Sequence, residues 1–301
     1  MTFNLTLEQL TTAVPGSASW HKALVSTLPK YKIDTAERVA AFLAQCAHES
    51  QNFTILEENL NYSAAGLQKT WPKRFTPQLA AQVAKQPARI AEIAYGGRMG
   101  NVQPGDGYKF RGQGIIQLTG RNNFTAFGMT LNKSADQTVS YVRSIPGAVD
   151  AAGWYWSVNN LNRWVDANDF DGLSDAINIG RKTATIGDAH GYADRKRRYD
   201  SILAVLTGKP TAKAPVLRLT DPVVVVPEVV APEASSMPVL RTLRRGARGA
   251  LVKKLQMALK TQHVDGVFGD DTETALKTWQ EANGFEDDGV ATSEQLFKLF
   301  S

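Results

Sequence analysis

Glu49 closes a stretch of helically spaced apolar residues, three positions after Cys46 and seven after Phe42. At the rim of such a stripe, partial desolvation is expected to raise its pKa and keep a proton available, which is what a general acid requires. The competing reading is a solvated glutamate near a helix C-terminus. Glu57 and Glu58 follow eight and nine residues later, beyond the apolar stretch Phe53 to Leu56. Hydrolysing a glycosidic bond with inversion takes a proton donor on the leaving oxygen and a second carboxylate about 6.5–9.5 Å away that activates water. A helix end followed by a turn can present two acids across a cleft at such a distance. Carboxylate pairs are common in any protein, so spacing alone is weak evidence.

A third group runs from Arg111 to Asn123, RGQGIIQLTGRNN. Its glycines permit close backbone approach, and Gln117, Thr119 and Asn123 alternate with apolar residues so that they can project together from one side. Amides and hydroxyls suit the recognition of sugar N-acetyl and hydroxyl groups, and they can orient a water. Gly112 and Gly114 do not make a phosphate loop, because no Gly-Lys-Ser/Thr and no Rossmann unit follows. His48-Glu49 does not begin a His-Glu-x-x-His zinc site, because Asn52 stands where the second histidine must be. The four histidines, His21, His48, His190 and His263, are scattered, so neither a metal nor another cofactor is expected, and chelation should leave activity untouched.

The elements that must hold these groups are mainly helical. Asp34-Thr35-Ala36-Glu37 has the spacing of a capping box, and Ala36, Val39, Ala40, Leu43, Cys46 and Ala47 then form one face of a buried helix that runs into His48-Glu49-Ser50. Gly and Asn cluster between 96 and 123 around the β-capable run Ile115 to Leu118, which predicts loops and a small sheet. Helices are expected to resume near 147–159, 171–178 and 190–206.

Residues 208–238 contain six of the thirteen prolines and read as a linker, semi-rigid at about 3.1 Å per residue. Its Val-rich centre is alternatively an edge strand. The chain therefore divides into a large domain over 1–207, the linker, and a small domain over 239–301. In the small domain, Leu251, Val252, Leu255 and Leu259 form one apolar face. Ala275, Leu276 and Trp279 form a second, and Leu296, Phe297 and Phe300 a third. Turns at Asp265-Gly266 and Asp288-Gly289 precede helix starts expected at Asp271-Thr272 and Thr292-Ser293, which gives a degenerate internal repeat. An EF-hand loop is excluded by the missing alternating ligands and terminal glutamate.

A chain of 301 residues with 43% hydrophobic and 21% charged residues can bury two cores. Its apolar runs fall far short of the roughly 20 residues a membrane span requires, so stable membrane insertion is not expected. The N-terminus lacks the basic and apolar regions of a secretory signal. Any action outside the cytoplasm would then depend on another release route. The single cysteine, Cys46, rules out an intramolecular disulfide. The net charge of +5 lies wholly in the large domain; a basic surface favours polyanions in general, but the sign alone is weak evidence and a merely solvated surface is the preferred reading.

Together, His48-Glu49-Ser50, the acid nine residues on, Asn59 to Ala64, Arg98-Met99-Gly100-Asn101, Gly105 to Tyr108 and Arg111 to Arg121 resemble glycoside hydrolase family 19, which holds chitinases and lysozyme-like phage endolysins. The resemblance covers roughly residues 5–206. It implies a mostly helical, two-lobed lysozyme-like domain that works by single-displacement inversion. By position it implies Glu49 as general acid, Glu58 as general base with Glu57 as an alternative, and Thr119 as holder of the attacking water. Gln117, Asn123 and Asn178 match sugar-binding amides, with Ile179 replacing a glycine of the family pattern next to Asn178. Arg111 is expected near the acid, and Tyr62 among the substrate contacts.

The last 63 residues resemble the type 1 peptidoglycan-binding domain family through Leu243, Gly246, Gly249, Leu255-Gln256, Asp265-Gly266, Phe268-Gly269, Trp279-Gln280 and Asp288-Gly289. Arg244, Arg248, Gln280 and Asn283 are candidate wall contacts. The combined expectation is a monomeric, holin-dependent endolysin that cuts the glycan of bacterial peptidoglycan and binds no nucleic acid. It would wait in the host cytoplasm and reach the periplasm and wall after holin action. The alternatives are a chitinase and a non-catalytic wall-binding protein with a dead hydrolase fold.

Overall fold

The computed structural model describes residues 2–209, 243–291, 295, 296 and 299, and the chain divides into two compact units. The architecture is mainly α, as the hydrophobic spacing predicts. Most of the proline-rich stretch, from 210 to 238 and including Val223 to Val226, lies outside the described residues.

The large unit is built around the helix Ala36–Glu49, in which every residue from Val39 to Ala47 is buried. Burying each large apolar side chain is worth about 1.5–3 kcal/mol, so this helix anchors the core. Tyr192–Thr207 packs along it, and Phe42 meets Trp156 of the helix Ile145–Val158 edge-on at 5.4 Å. Its N-cap is Thr35, whose hydroxyl accepts from the Arg38 N–H. The sequence points to Asp34 instead; that carboxylate pairs with the Arg38 guanidinium at 2.9 Å. Both residue types cap helices well, and the one nearer the first turn has taken the position.

A second hydrophobic cluster gathers Leu60, Tyr62, Leu67, Trp71, Phe75, Ile90 and Tyr95 beneath the helices Ala64–Thr70, Pro77–Val83 and Pro87–Tyr95. Between 96 and 120 the chain is loop apart from one turn of helix, Asp106–Lys109. No sheet forms among the described residues. Gly114 and Gln117 adopt positive φ of 75° and 54°, so the expected strand folds back on itself. It closes as a single bridge with Gln113 and Leu118 exchanging backbone hydrogen bonds at 3.0 and 2.8 Å. Helices Ile145–Val158, Phe170–Asn178 and Tyr192–Thr207 fall within two residues of the expected spans.

In the small unit, helices Ala250–Ala258 and Asp270–Ala282 pack around Leu243, Val252, Leu255, Phe268, Leu276, Ala291 and Leu296. Gln295, Leu296 and Leu299 are also helical; Thr292, Ser293, Phe297 and Phe300 lie outside the described residues. The internal repeat is visible atom by atom. Gln256 Nε2 donates to Asp265 Oδ1 and the Val267 carbonyl, while its Oε1 accepts from Gly266 N–H. Gln280 does the same with Asp288 Oδ1, the Val290 carbonyl and Gly289 N–H. Gly266 and Gly289 have φ of 79° and 71°, the left-handed turn position that favours glycine. Gln280 is therefore a buried turn-holder and not a wall contact. The second helix begins at Asp270 behind Gly269, because Thr272 is buried and receives Gln256 Nε2 at 3.1 Å.

Candidate active site

Glu49 is the last residue of the central helix, with its side chain 11% exposed. Its Oε1 lies 2.5 Å from Nη2 of Arg195, which projects from the packed Tyr192–Thr207 helix and is itself 1% exposed. Arg195 is fully engaged: Nη1 donates to Gln45 Oε1 at 2.5 Å and Nε to the His190 carbonyl at 2.9 Å. Gln45 in turn donates to Ser174 Oγ at 3.0 Å. Burial alone pushes the Glu49 pKa up, but Arg195, then His48, pull it back and hold it below the ordinary glutamate value. The expectation that desolvation would leave Glu49 with a raised pKa is thus corrected, since an arginine distant in sequence supplies the opposing charge.

The neighbouring His48 places Nδ1 2.7 Å from Asp194 Oδ2, and Arg198 Nε binds the same oxygen at 2.6 Å. Gly191 leaves room for the His48 ring, since a Cβ there would lie 2.3 Å from His48 Cε1. The imidazole is therefore clamped against the start of the packed helix. Asn178 belongs to this side. Its Oδ1 accepts the His190 N–H at 2.8 Å, tying down the loop before the Arg195 helix, while Ile179 takes an ordinary helical conformation where the family pattern has glycine.

Between the two acids the backbone is strained: Gln51, Asn52 and Phe53 have φ of 48°, 58° and 66°. Such residues cost about 1–3 kcal/mol each and cluster at functional sites. Side-chain contacts hold the run. Ser50 Oγ accepts from Phe53 N–H at 3.0 Å, Phe53 packs on Trp20 at 5.3 Å, and Arg198 Nη1 donates to Asn52 at 2.5 Å.

The turn delivers Glu58 to the glycine-rich loop. Glu58 N–H donates to the Gly112 carbonyl at 2.9 Å, and Gly112 N–H returns to Glu58 Oε2 at 3.1 Å. Tyr95 Oη donates to Oε1 at 2.6 Å. Burial raises the Glu58 pKa above the ordinary value despite these donors and the nearby Arg111. Glu57 points elsewhere, into an ion pair with Arg111 and a second with Arg143 at 3.2 Å. Arg111 is therefore a neighbour of Glu57 and Glu58, not of Glu49 as expected. Its guanidinium stacks over Tyr108 at 4.1 Å.

Gln117, Thr119 and Asn123 are linked in series. Asn123 Nδ2 donates to the Thr119 carbonyl at 2.7 Å, Thr119 Oγ1 to the Gln117 carbonyl at 2.8 Å, and Gln117 Nε2 to the Gly114 carbonyl at 2.8 Å. Their donors fix the loop, which leaves side-chain oxygens to receive a ligand. Gln117 Oε1 lies against Gly112, where a Cβ would come within 2.7 Å of it and push the Gln117 amide aside. Tyr62 is corrected. It is 2% exposed and packs on Trp71 at 5.1 Å inside the second hydrophobic cluster, so its ring is a core contact rather than an open sugar-binding face.

Arg195 and Tyr95 escaped the sequence reading. Arg195 sits in a run of four cations that looks like a solvated helix face, and Tyr95 follows apolar residues typical of core. Among the described residues, no group of three or more His, Cys, Asp or Glu is placed to hold a metal ion, and no helix is long and apolar enough to cross a membrane.

Residues 248–299 match a family model described as "Putative peptidoglycan binding domain". Solved structures with similar backbones include chitinase C from Streptomyces griseus HUT6037, 19% identical with a TM-score of 0.49 over 68% of this chain and 94% of that one. Another is a bacterial family 19 chitinase, 18% identical with a TM-score of 0.42 over 70% and 98%. A "Glycosyl hydrolase family 19 domain-containing protein" of Haemophilus influenzae (strain ATCC 51907 / DSM 11121 / KW20 / Rd) is 32% identical over 186 residues, 61% of this chain and 87% of the relative. The chain belongs to glycosyl hydrolase family 19 and carries a peptidoglycan-binding domain near its C-terminus.

Proposed function

We propose that this protein is an endolysin-type hydrolase that cuts the β-1,4 bond between N-acetylmuramic acid and N-acetylglucosamine in bacterial peptidoglycan. One observation carries the reading: a family 19 hydrolase domain and a peptidoglycan-binding domain share one chain. A wall-binding module has little use on chitin, whereas on peptidoglycan it raises the local concentration of the linked hydrolase.

In the proposed reaction Glu49 gives its proton to the leaving glycosidic oxygen as the bond to the anomeric carbon breaks. Water attacks that carbon from the opposite face and passes a proton to Glu58, so the configuration inverts. Thr119 Oγ1 spends its own hydrogen on the Gln117 carbonyl and is left as an acceptor that orients the water. Protons return to Glu49 and leave Glu58 through solvent. The protein acts as a monomer, with no nucleic-acid partner and no membrane insertion, and reaches the wall from the host cytoplasm through a holin lesion.

Initial rates on purified sacculi and on colloidal chitin test the substrate. Preferential solubilisation of sacculi supports the proposal, and turnover of chitin with sacculi left intact would establish the chitinase reading in its place.

A further inference from the structure

We infer that Tyr95 is a positioning residue for the proposed base, holding the Glu58 carboxylate in orientation and keeping it ionisable in its partly buried setting. The inference rests on the reading of Glu58 as the base. Tyr95 ends the helix Pro87–Tyr95, is 4% exposed, and directs Oη to Glu58 Oε1 at 2.6 Å. Gly112 N–H reaches the other oxygen, Oε2, at 3.1 Å. Each carboxylate oxygen thus has one protein donor and keeps lone pairs for water.

The phenol has little freedom to leave. Its ring stands edge-on to Trp71 with centroids 6.4 Å apart, within the cluster formed by Leu60, Leu67 and Ile90. Its carbonyl is held by Asn101 Nδ2 at 3.1 Å, and Asn101 is itself buried. The contact pairs a donor with an anion. Burial and the Glu58 charge hold the phenol pKa well above its ordinary value, so Tyr95 keeps its proton wherever Glu58 titrates. A hydrogen bond from a permanent donor favours the charged carboxylate over the neutral acid. Burial pulls the other way, and without Tyr95 only the Gly112 N–H and the more distant Arg111 charge would offset it.

Tyr95→Phe removes the hydroxyl and keeps the ring, so packing survives. The readout is the ratio of wild-type to variant kcat/KM against pH on soluble peptidoglycan fragments. Losing a hydrogen bond to a charged group lowers the fraction of ionised Glu58 by about 10- to 100-fold wherever Glu58 is mostly protonated. The ratio should therefore be about 10–100 at acid pH and fall towards unity above the Glu58 titration. This form holds whichever carboxylate titrates first. A ratio that stays constant across pH would mean that Tyr95 only packs, and would overturn the inference.

Titration of the Glu58 carboxyl by 13C NMR, with the signal assigned by its loss in Glu58→Gln, reads the same effect without turnover. A midpoint moved to higher pH in Tyr95→Phe supports the inference, and an unmoved midpoint overturns it. Kinetics of Glu58→Gln separate the two levels. Full activity in that variant would sink the base assignment itself, whereas lost activity with a flat Tyr95→Phe ratio would sink only the role of Tyr95.

Discussion

Nη2 of Arg195 lies 2.5 Å from Oε1 of Glu49, and this contact sets the order in which the two proposed catalytic carboxylates titrate. Glu49 is held below the ordinary glutamate value and Glu58 above it. The productive form, with the proton on Glu49 and none on Glu58, is then a minor fraction of the free enzyme. That fraction pairs a strong acid with a strong base, which favours proton transfer in both directions. The acid-side limb of kcat/KM should belong to Glu49 and the alkaline-side limb to Glu58. Arg195→Lys shortens the reach to Glu49 and gives up the fork, so burial prevails and the acid-side limb should move to higher pH. Urea unfolding should show a stability loss of about 1–3 kcal/mol as the contacts to Gln45 and Glu49 weaken. An acid-side limb that does not move in the folded variant would refute the charge order.

Glu57 and Glu58 are adjacent but face different partners, so their variants should differ sharply. Glu57 is held by two arginines, with its side chain 38% exposed. Glu57→Gln should change kcat/KM by only a few-fold, since Glu57 faces Arg111 and Arg143 and takes no proton in the proposed reaction. Glu58→Gln removes a general base and should cost about 10²–10⁴-fold in kcat. Rate measurements on soluble fragments decide the matter; a greater loss in Glu57→Gln would reverse the assignment.

Much of this site was legible in the sequence, and the rest was not for a definable reason. The central helix shows in the spacing of Val39, Ala40, Leu43, Cys46 and Ala47, because one-sided burial leaves a period that a single segment records. Glu49, Glu58 and the Gly112–Asn123 loop lie within or next to such segments, and the combined motifs of the family resemblance, not spacing alone, single them out as candidates. Arg195 reaches Glu49 across 146 positions and Tyr95 reaches Glu58 across 37. Nothing in local spacing shows which of four consecutive cations is buried. Tyr62 misled in the opposite sense: the family resemblance placed it among the substrate contacts, but its ring completes a core. The turn at Gln117 explains the missing strand, because a non-glycine residue at positive φ is set by tertiary contacts and leaves no compositional sign.

The duplicated glutamines of the small unit should be equivalent in energy as they are in geometry. Gln256 and Gln280 are both buried and each secures an Asp-Gly turn. Gln256→Leu and Gln280→Leu should each strand buried turn groups and cost roughly 1–3 kcal/mol. Hydrogen exchange of small-unit amides in the full chain, followed across a denaturant series, measures both. A negligible effect from either change would contradict the repeat as an energetic unit.

Removing residues 208–301 should separate binding from chemistry. The expected protein sediments poorly with sacculi while cleaving soluble fragments at close to the full-length rate, because anchoring changes local concentration and not the reaction. Circular dichroism checks that the remaining part is folded. Lost cleavage in a folded truncation would contradict a modular enzyme.

Mass spectrometry of peptidoglycan digested by the intact protein, run beside the near-isosteric Glu49→Gln variant, tests the central claim most directly. The account predicts fragments ending in reducing N-acetylmuramic acid from the wild type, and none from a variant that folds normally but lacks the proton donor. Reducing-end N-acetylglucosamine, a 1,6-anhydro product, or the same digest from Glu49→Gln would contradict it.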